Sequence, residues 1–318
     1  MKAAQLRSLS KSGPVAAPSP FVSDLIEALG VPAVQWRAER LRAYEYDGSI
    51  DVGHPAAVAL VATAADASTA IRISLQHDQP VVARGSGTGL SGGAVPARGG
   101  LALSFSRMRA IDLVDPRNLR AVVEPGVINL DVSRAVAPHG LYFAPDPSSQ
   151  AACSIGGNIA ENAGGAHCLA YGVTTNHVTG LECVLADGTT LGTGTLSGAN
   201  LAADAPGYDL TGGIVGSEGT LAVVTRACLR LMPVPEAVRT MLASFPTVDD
   251  ASRATSGIIA AGIIPAAIEM MDALTITALS RAGHKGLPPD AAAVLLVELE
   301  GLQESVDEQR PFVEAILT

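Results

Sequence analysis

The chain has 318 residues, 48% of them hydrophobic, with a formal net charge of −10 and a sequence pI near 5.0. An acidic chain with no clustered basic stripe excludes nucleic acid as its partner, and the length accommodates roughly two domains with a sizeable core. A mean hydropathy of +0.31 suits sheets covered by helices and needs no transmembrane segment, because the longest apolar stretch, Gly257 to Ile268, is interrupted by Pro265 and falls short of the ~20 residues a crossing helix requires.

Residues 1–20 carry Lys2, Arg7 and Lys11 among Ser, Ala and Pro, which reads as an unstructured tail and not as a secretory signal. Ser19 as cap, Pro20 at the first position and Gly30 as stop then predict a helix over 20–29. Val58 to Val61 reads as a strand, and Thr63-x-x-Asp66 as a capping box opening a helix to about His77.

Next, the β-branched run Pro80-Val81-Val82-Ala83 empties into Arg84-Gly85-Ser86-Gly87-Thr88-Gly89-Leu90-Ser91-Gly92-Gly93. Gly87, Gly89 and Gly92 satisfy the dinucleotide pattern G-x-G-x-x-G, but that pattern needs a helix opening at the loop. Gly93, Pro96, Gly99 and Gly100 follow instead, and Leu101 to Phe105 reads as a strand. What remains is strand, loop of bare amides, strand: a cradle for an anion. Strands at Ile111 and over 119–123 complete an α/β lobe that ends near Pro125.

A helix around Asn129 to Ala137 opens a second lobe with two more glycine-rich segments. The first is Pro145-Asp146-Pro147-Ser148-Ser149-Gln150, followed by Ser154-Ile155-Gly156-Gly157-Asn158-Ile159-Ala160-Glu161-Asn162-Ala163-Gly164-Gly165; the second is Gly216-Ser217-Glu218-Gly219-Thr220-Leu221. Between them, alternation over 178–186 and 189–191 around Asp187-Gly188 predicts a hairpin. Leu221 to Leu231 reads as a closing strand, and Pro233 and Pro235 as a linker. Beyond it the pattern predicts strands over 239–245, 267–270 and 292–299, helices over 247–261 and 272–281, and a helix from Gln303 onward. Cys153, Cys168, Cys183 and Cys228 form no Cys-x-x-Cys pair and read as reduced thiols of a cytoplasmic protein.

Taken together, the segments 84–93, 145–165 and 216–221 resemble the FAD-binding domain of the vanillyl-alcohol oxidase and p-cresol methylhydroxylase (PCMH) superfamily, in its D-2-hydroxyacid dehydrogenase branch of glycolate oxidase and D-lactate dehydrogenase type. The resemblance runs from about Tyr44 to the end of the chain, including Gly262 to Pro265 and Glu269 to Asp272. It implies an α+β fold: an N-terminal tail and helical segment over 1–53, a PCMH-type two-lobed FAD-binding domain over 54–235, and the first part of an α/β cap domain over 236–318. In the family the cap continues further, so the chain reads as C-terminally truncated.

The same resemblance implies noncovalent FAD, because Gly87-Thr88-Gly89 stands where some relatives attach flavin through a histidine. The pyrophosphate would meet Gly85, Ser86, Gly87, Thr88, Gly89, Leu90 and Ser91, with Arg84 either lending charge or held in an ion pair. Pro145, Asp146, Ser149, Ser154, Gly156, Gly157, Asn158, Glu161, Asn162 and Gly164 match segments lining the flavin and ribityl chain. Glu218 and Gly219, with Val223 and Val224, match the adenine side. Family chemistry implies hydride transfer from a small D-2-hydroxyacid, glycolate or D-lactate, with electrons passing to a quinone or a partner iron–sulfur subunit. Such a partner would make the chain peripheral to the inner membrane. The family's paired-histidine metal motif is absent, so no metal and no catalytic residue is assigned. His167, Tyr171 and His177 are candidates to face the flavin, with ordinary structural roles as the competing reading. A non-redox transferase of the same fold and a flavin-binding module without catalysis are the alternative functions.

Overall fold

The computed structural model describes residues 17–196 and 207–318, and most of the expected N-terminal tail, 1–16, lies outside them. Helix Pro20–Leu29 forms as its signals dictate: Ser19 Oγ accepts from Val22 N–H at 3.3 Å, and Gly30 ends the helix at φ +83°. Helix Ala64–Gln76 starts on the reciprocal Thr63–Asp66 box. Both pack on a sheet of β1 (Val34–Gln35), β2 (Ala57–Leu60), β3 (Val81–Arg84) and β4 (Leu101–Ser104), in the order β1-β2-β4-β3. β4 runs parallel to both β2 and β3 and is buried along its whole length. The β3-to-β4 connection is the glycine loop, with no helix in it, so the dinucleotide fold is excluded by topology as well as by sequence.

The second sheet is antiparallel throughout: β5 (Ile111–Asp115), β6 (Arg120–Val123), β8 (Val178–Val184), β9 (Thr190–Gly194) and β10 (Val223–Arg230), in the order β5-β6-β10-β8-β9. The β8–β9 hairpin turns at Asp187-Gly188 as predicted, with Gly188 at φ +83°. A short ladder joins β7 (Leu141–Tyr142) to β11 (Met232–Pro233).

Among the elements that the sequence reading did not give, one shapes the site. Residues 155–161, read as a glycine-rich segment, form a helix, although Gly156 and Gly157 in its first turn each cost up to about 1 kcal/mol relative to alanine. Packing overrides that cost: Ile155 and Ile159, one turn apart, are both fully buried in the core of the second sheet. Gly156 is needed for space, since a Cβ there would lie 2.7 Å from Pro125 Cβ.

After Pro235 comes a third sheet of β12 (Ala237–Phe245), β13 (Ala267–Asp272) and β14 (Ala293–Gly301), antiparallel in the order β12-β14-β13. Helices Val248–Ala260 and Gln303–Leu317 cover the face to which Leu295, Val297 and Leu299 point. Strand periodicity places Glu298 and Glu300 on the opposite face, toward the second lobe. Among the described residues no helix is long and apolar enough to cross a membrane.

Candidate cofactor site

A cavity of about 480 Å³ lies where the first two sheets meet. The glycine loop forms one wall and the Ile155–Glu161 helix another, and Ser217 to Gly219 with Ala222 to Val224 close it. Loop and helix touch closely: a Cβ on Gly85 would fall 2.2 Å from Ser154 Oγ, the oxygen that caps the helix by accepting from Gly157 N–H at 3.3 Å.

The amides decide what the cavity can hold. Those of the helix's first turn are occupied, Ile155 donating to Val127 O, Gly156 to Pro125 O and Gly157 to Ser154 Oγ. In contrast, no amide from Gly85 to Gly93 donates to a protein acceptor among the described residues. The loop is half-buried to exposed along its length, and a run of N–H groups with no protein acceptor beside a cavity is a nest an oxyanion can occupy. Asn158 adds a donor of the same kind: it is 2% exposed, lines the cavity, and its Nδ2 has no partner. The Ser217 Oγ is also unpartnered.

Arg84 lines the cavity and is anchored by backbone carbonyls. Its guanidinium donates to Ala94 O and Ala43 O, each at 3.2 Å, and stacks 5.5 Å from the centre of the Tyr44 ring. It braces the loop from below, and burial lowers its pKa despite the nearby Asp47. The other charged groups lining the cavity are acidic: Asp47, Glu161 and Glu218.

Of the residues singled out in the sequence, Arg84 to Ser91, Ser149, Ser154, Gly156, Gly157, Asn158, Glu161, Glu218, Gly219, Val223 and Val224 line this cavity. Pro145, Asp146, Asn162 and Gly164 do not. Pro145 O accepts from Asn129 Nδ2, and Asn162 ends the helix at φ +50° while its Oδ1 accepts from Thr175 N–H. Gly164 packs on Cys168 Sγ, and Asp146 faces another cluster described below. The sequence reading missed Asp47, Phe105, Pro125, Cys153, Ile214 and Ala222. Asp47 carries no local signal; it arrives because residues 43–53 wrap the loop, Gly48 N–H donating to Gly89 O at 3.0 Å.

A second polar cluster lies at the seam with the third sheet. His167 Nδ1 is 2.6 Å from Asp146 Oδ2 and its Nε2 is 3.0 Å from Glu298 Oε1, while Tyr171 donates its hydroxyl to Glu300. Burial alone would lower the imidazole's pKa, but the bonds to Glu298 and Asp146 outweigh it and hold the ring above its ordinary value. Burial and the Glu300 charge raise the phenol of Tyr171, and the same two causes push Tyr142 up to about 12. Ligand atoms of His167, Glu298 and Glu300 lie within 4.8 Å of one another. Spacing in the sequence did not reveal this juxtaposition, since His167 lies 131 positions from Glu298. His177, the other histidine considered, is 3% exposed and hydrogen-bonds Tyr171 O, a structural role.

Comparison with known proteins places this geometry. Residues 55–194 match the FAD binding domain family, and residues 234–318 match the C-terminal domain of FAD linked oxidases. The glycolate oxidase subunit GlcD of Escherichia coli is 46% identical over 280 residues, covering 88% of this chain and 55% of that protein. GlcD of Bacillus subtilis is 46% identical over 274 residues (86% and 57%), and the D-lactate dehydrogenase of Archaeoglobus fulgidus 36% over 241 residues (76% and 53%). The chain thus spans about half the length of the curated relatives it matches. An alkyldihydroxyacetonephosphate synthase structure superposes with a TM-score of 0.78 at 20% identity, over 96% of this chain and 60% of that one. A p-cresol methylhydroxylase structure gives 0.76 at 21%, over 93% and 63%. At such identities these two show the fold alone. The free amides of the loop and the orphan Asn158 amide fit a diphosphate-bearing flavin, and with both family matches in chain order the protein belongs to the FAD-linked oxidases, with a PCMH-type FAD-binding fold.

Proposed function

We propose that this chain is the flavin-holding part of an oxidoreductase that converts a small D-2-hydroxyacid, glycolate or D-lactate, to the 2-oxoacid. The observation that carries the reading is the run of partnerless amides from Gly85 to Gly93, set on one cavity with the unpaired Asn158 Nδ2. The names of the relatives supply the substrate class.

FAD is held without a covalent bond. Gly85 to Ser91 meet its pyrophosphate through N–H groups, and Asn158 donates into the same cavity. Arg84 keeps the loop in shape through Ala43 O and Ala94 O. Bound flavin supplies a hydride acceptor. Phe105, Ile214 and Ala222 exclude water from the cavity wall. Electrons leave to a quinone or to a partner iron–sulfur subunit, this chain having no cluster-type cysteine spacing. We place the protein in the cytoplasm, at the inner membrane only through that partner.

The test is anaerobic addition of glycolate or D-lactate to the FAD-loaded protein. Bleaching of the yellow flavin absorption is expected with one of them. A flavin that binds but is bleached by neither acid overturns the oxidoreductase reading.

A further inference from the structure

The cavity presents an electrostatic conflict that the fold does not resolve. It is shaped for a ligand with two phosphate charges, yet its described lining residues hold three carboxylates against a single guanidinium, that of Arg84. Asp47 is 8% exposed with Oδ2 unpartnered, and Glu161 and Glu218 have no ion pair or side-chain hydrogen bond among the described residues. The Arg84 guanidinium is anchored by bonds to Ala43 O and Ala94 O, and its charge acts on Asp47.

The carboxylates converge on the end of the glycine loop. A Cβ on Gly93 would lie 2.8 Å from Glu161 Oε1 and 3.7 Å from Glu218 Oε2, so the two reach the same point. Asp51 Oδ2 approaches the loop at neighbouring Gly92. The titratable and charged groups around Glu161 are therefore Glu218 from the loop before β10, Asp47 and Asp51 from the segment wrapping the glycine loop, Arg84 from β3, and the Cys153 thiol. No lysine or histidine lines the cavity among the described residues.

Glu161 and Glu218 are solvent-exposed while the cavity is open; a pyrophosphate seated beside them adds negative charge and displaces that solvent, and the group with the weakest hold on its own charge gives way. Asp47 keeps its charge, because Ser49 N–H donates to its Oδ1 at 2.8 Å. Glu161 has no such donor. We infer that FAD enters this cavity together with one proton, which Glu161 takes up from solvent and holds while the cofactor is bound. The free protein already leans that way, since burial, Glu218 and Asp47 all raise the Glu161 carboxyl above the usual carboxylate range. Affinity for FAD therefore falls as pH rises, by about ten-fold per unit between the carboxyl's pKa in the free protein and its higher value in the complex.

This inference rests on the FAD reading above, and the test separates the two. Deflavinated protein is titrated with FAD calorimetrically at about pH 6.5 in two buffers of different ionisation enthalpy, which gives the protons taken up per FAD. Uptake approaching one is expected for the parent, and none for Glu161→Gln, whose affinity should stay flat with pH and exceed the parent's by about ten-fold at the alkaline end. Glu218→Gln should retain uptake, shifted to lower pH. FAD binding without proton uptake in the parent, or uptake that survives Glu161→Gln, overturns the inference and leaves the FAD reading standing. No FAD binding at any pH overturns both.

Discussion

The imidazole of His167 and the carboxylate of Glu298 meet at 3.0 Å across the seam between the second lobe and β14, while Asp146 holds the other ring nitrogen at 2.6 Å. A protonated ring between two carboxylates ties the third sheet to the flavin-binding lobe. Because the folded-state pKa is raised, this stabilisation is fully present below the unfolded value of 6.5 and is lost as pH rises through the folded value. His167→Ala should cost about 1–2 kcal/mol on the acid side, seen as a drop of about 2–5 °C in Tm near pH 6 that shrinks under alkaline conditions. Thermal melts of both proteins across pH provide the check. A difference constant with pH would show that the ring acts through packing alone.

Acid precipitation should release all flavin colour into the supernatant. The first glycine loop offers Thr88, whose hydroxyl forms no flavin bond of the kind a histidine makes, so yellow pellet would contradict noncovalent attachment.

Asn158→Leu replaces a buried amide by an apolar group of similar shape. In the flavin-free protein this removes an unpaired donor, and stability should stay level or rise by about 1 kcal/mol. FAD affinity should fall about ten-fold. Melting with and without FAD reads both effects; a variant that loses stability and binds FAD normally would mean that Nδ2 serves the core.

Two glycines of the cavity wall should respond differently. Gly157 has no positive φ, and a Cβ there meets only Ser154 Oγ at 3.3 Å, so Gly157→Val should keep its far-UV spectrum and lose about ten-fold in FAD affinity through bulk in the cavity. Gly85→Ala places its Cβ 2.2 Å from Ser154 Oγ, which forces loop and helix apart. A stability loss of about 1–3 kcal/mol should accompany the loss of binding. FAD titration and chemical denaturation separate the two cases.

Much of this was legible in the sequence because its signals are local. Capping at Ser19, Thr63 and Thr247, the Asp187-Gly188 turn and the period-2 alternation of the strands each depend on a few adjacent residues, and the corresponding elements form within three residues of their expected bounds. The helix after Ser154 was hidden by its glycines, since its stability comes from tertiary burial of Ile155 and Ile159. Asp47 in the cavity and the meeting of His167 with Glu298 come from chain crossings between distant segments, to which no spacing rule applies. The role of Arg84 depended on where its side chain lies, a matter settled by the carbonyls of Ala43 and Ala94.

The unpaired amides from Gly85 to Gly93 make the stability of this protein answer to flavin supply. Cofactor present at a hundred times its dissociation constant adds about 2.7 kcal/mol to the folded state, a large share of the ~5–15 kcal/mol on which a domain lives. When flavin runs short, the amides of these nine residues have no protein acceptor to slow their exchange with solvent. Loaded copies therefore resist unfolding more than empty ones, by an amount that grows with the free cofactor concentration.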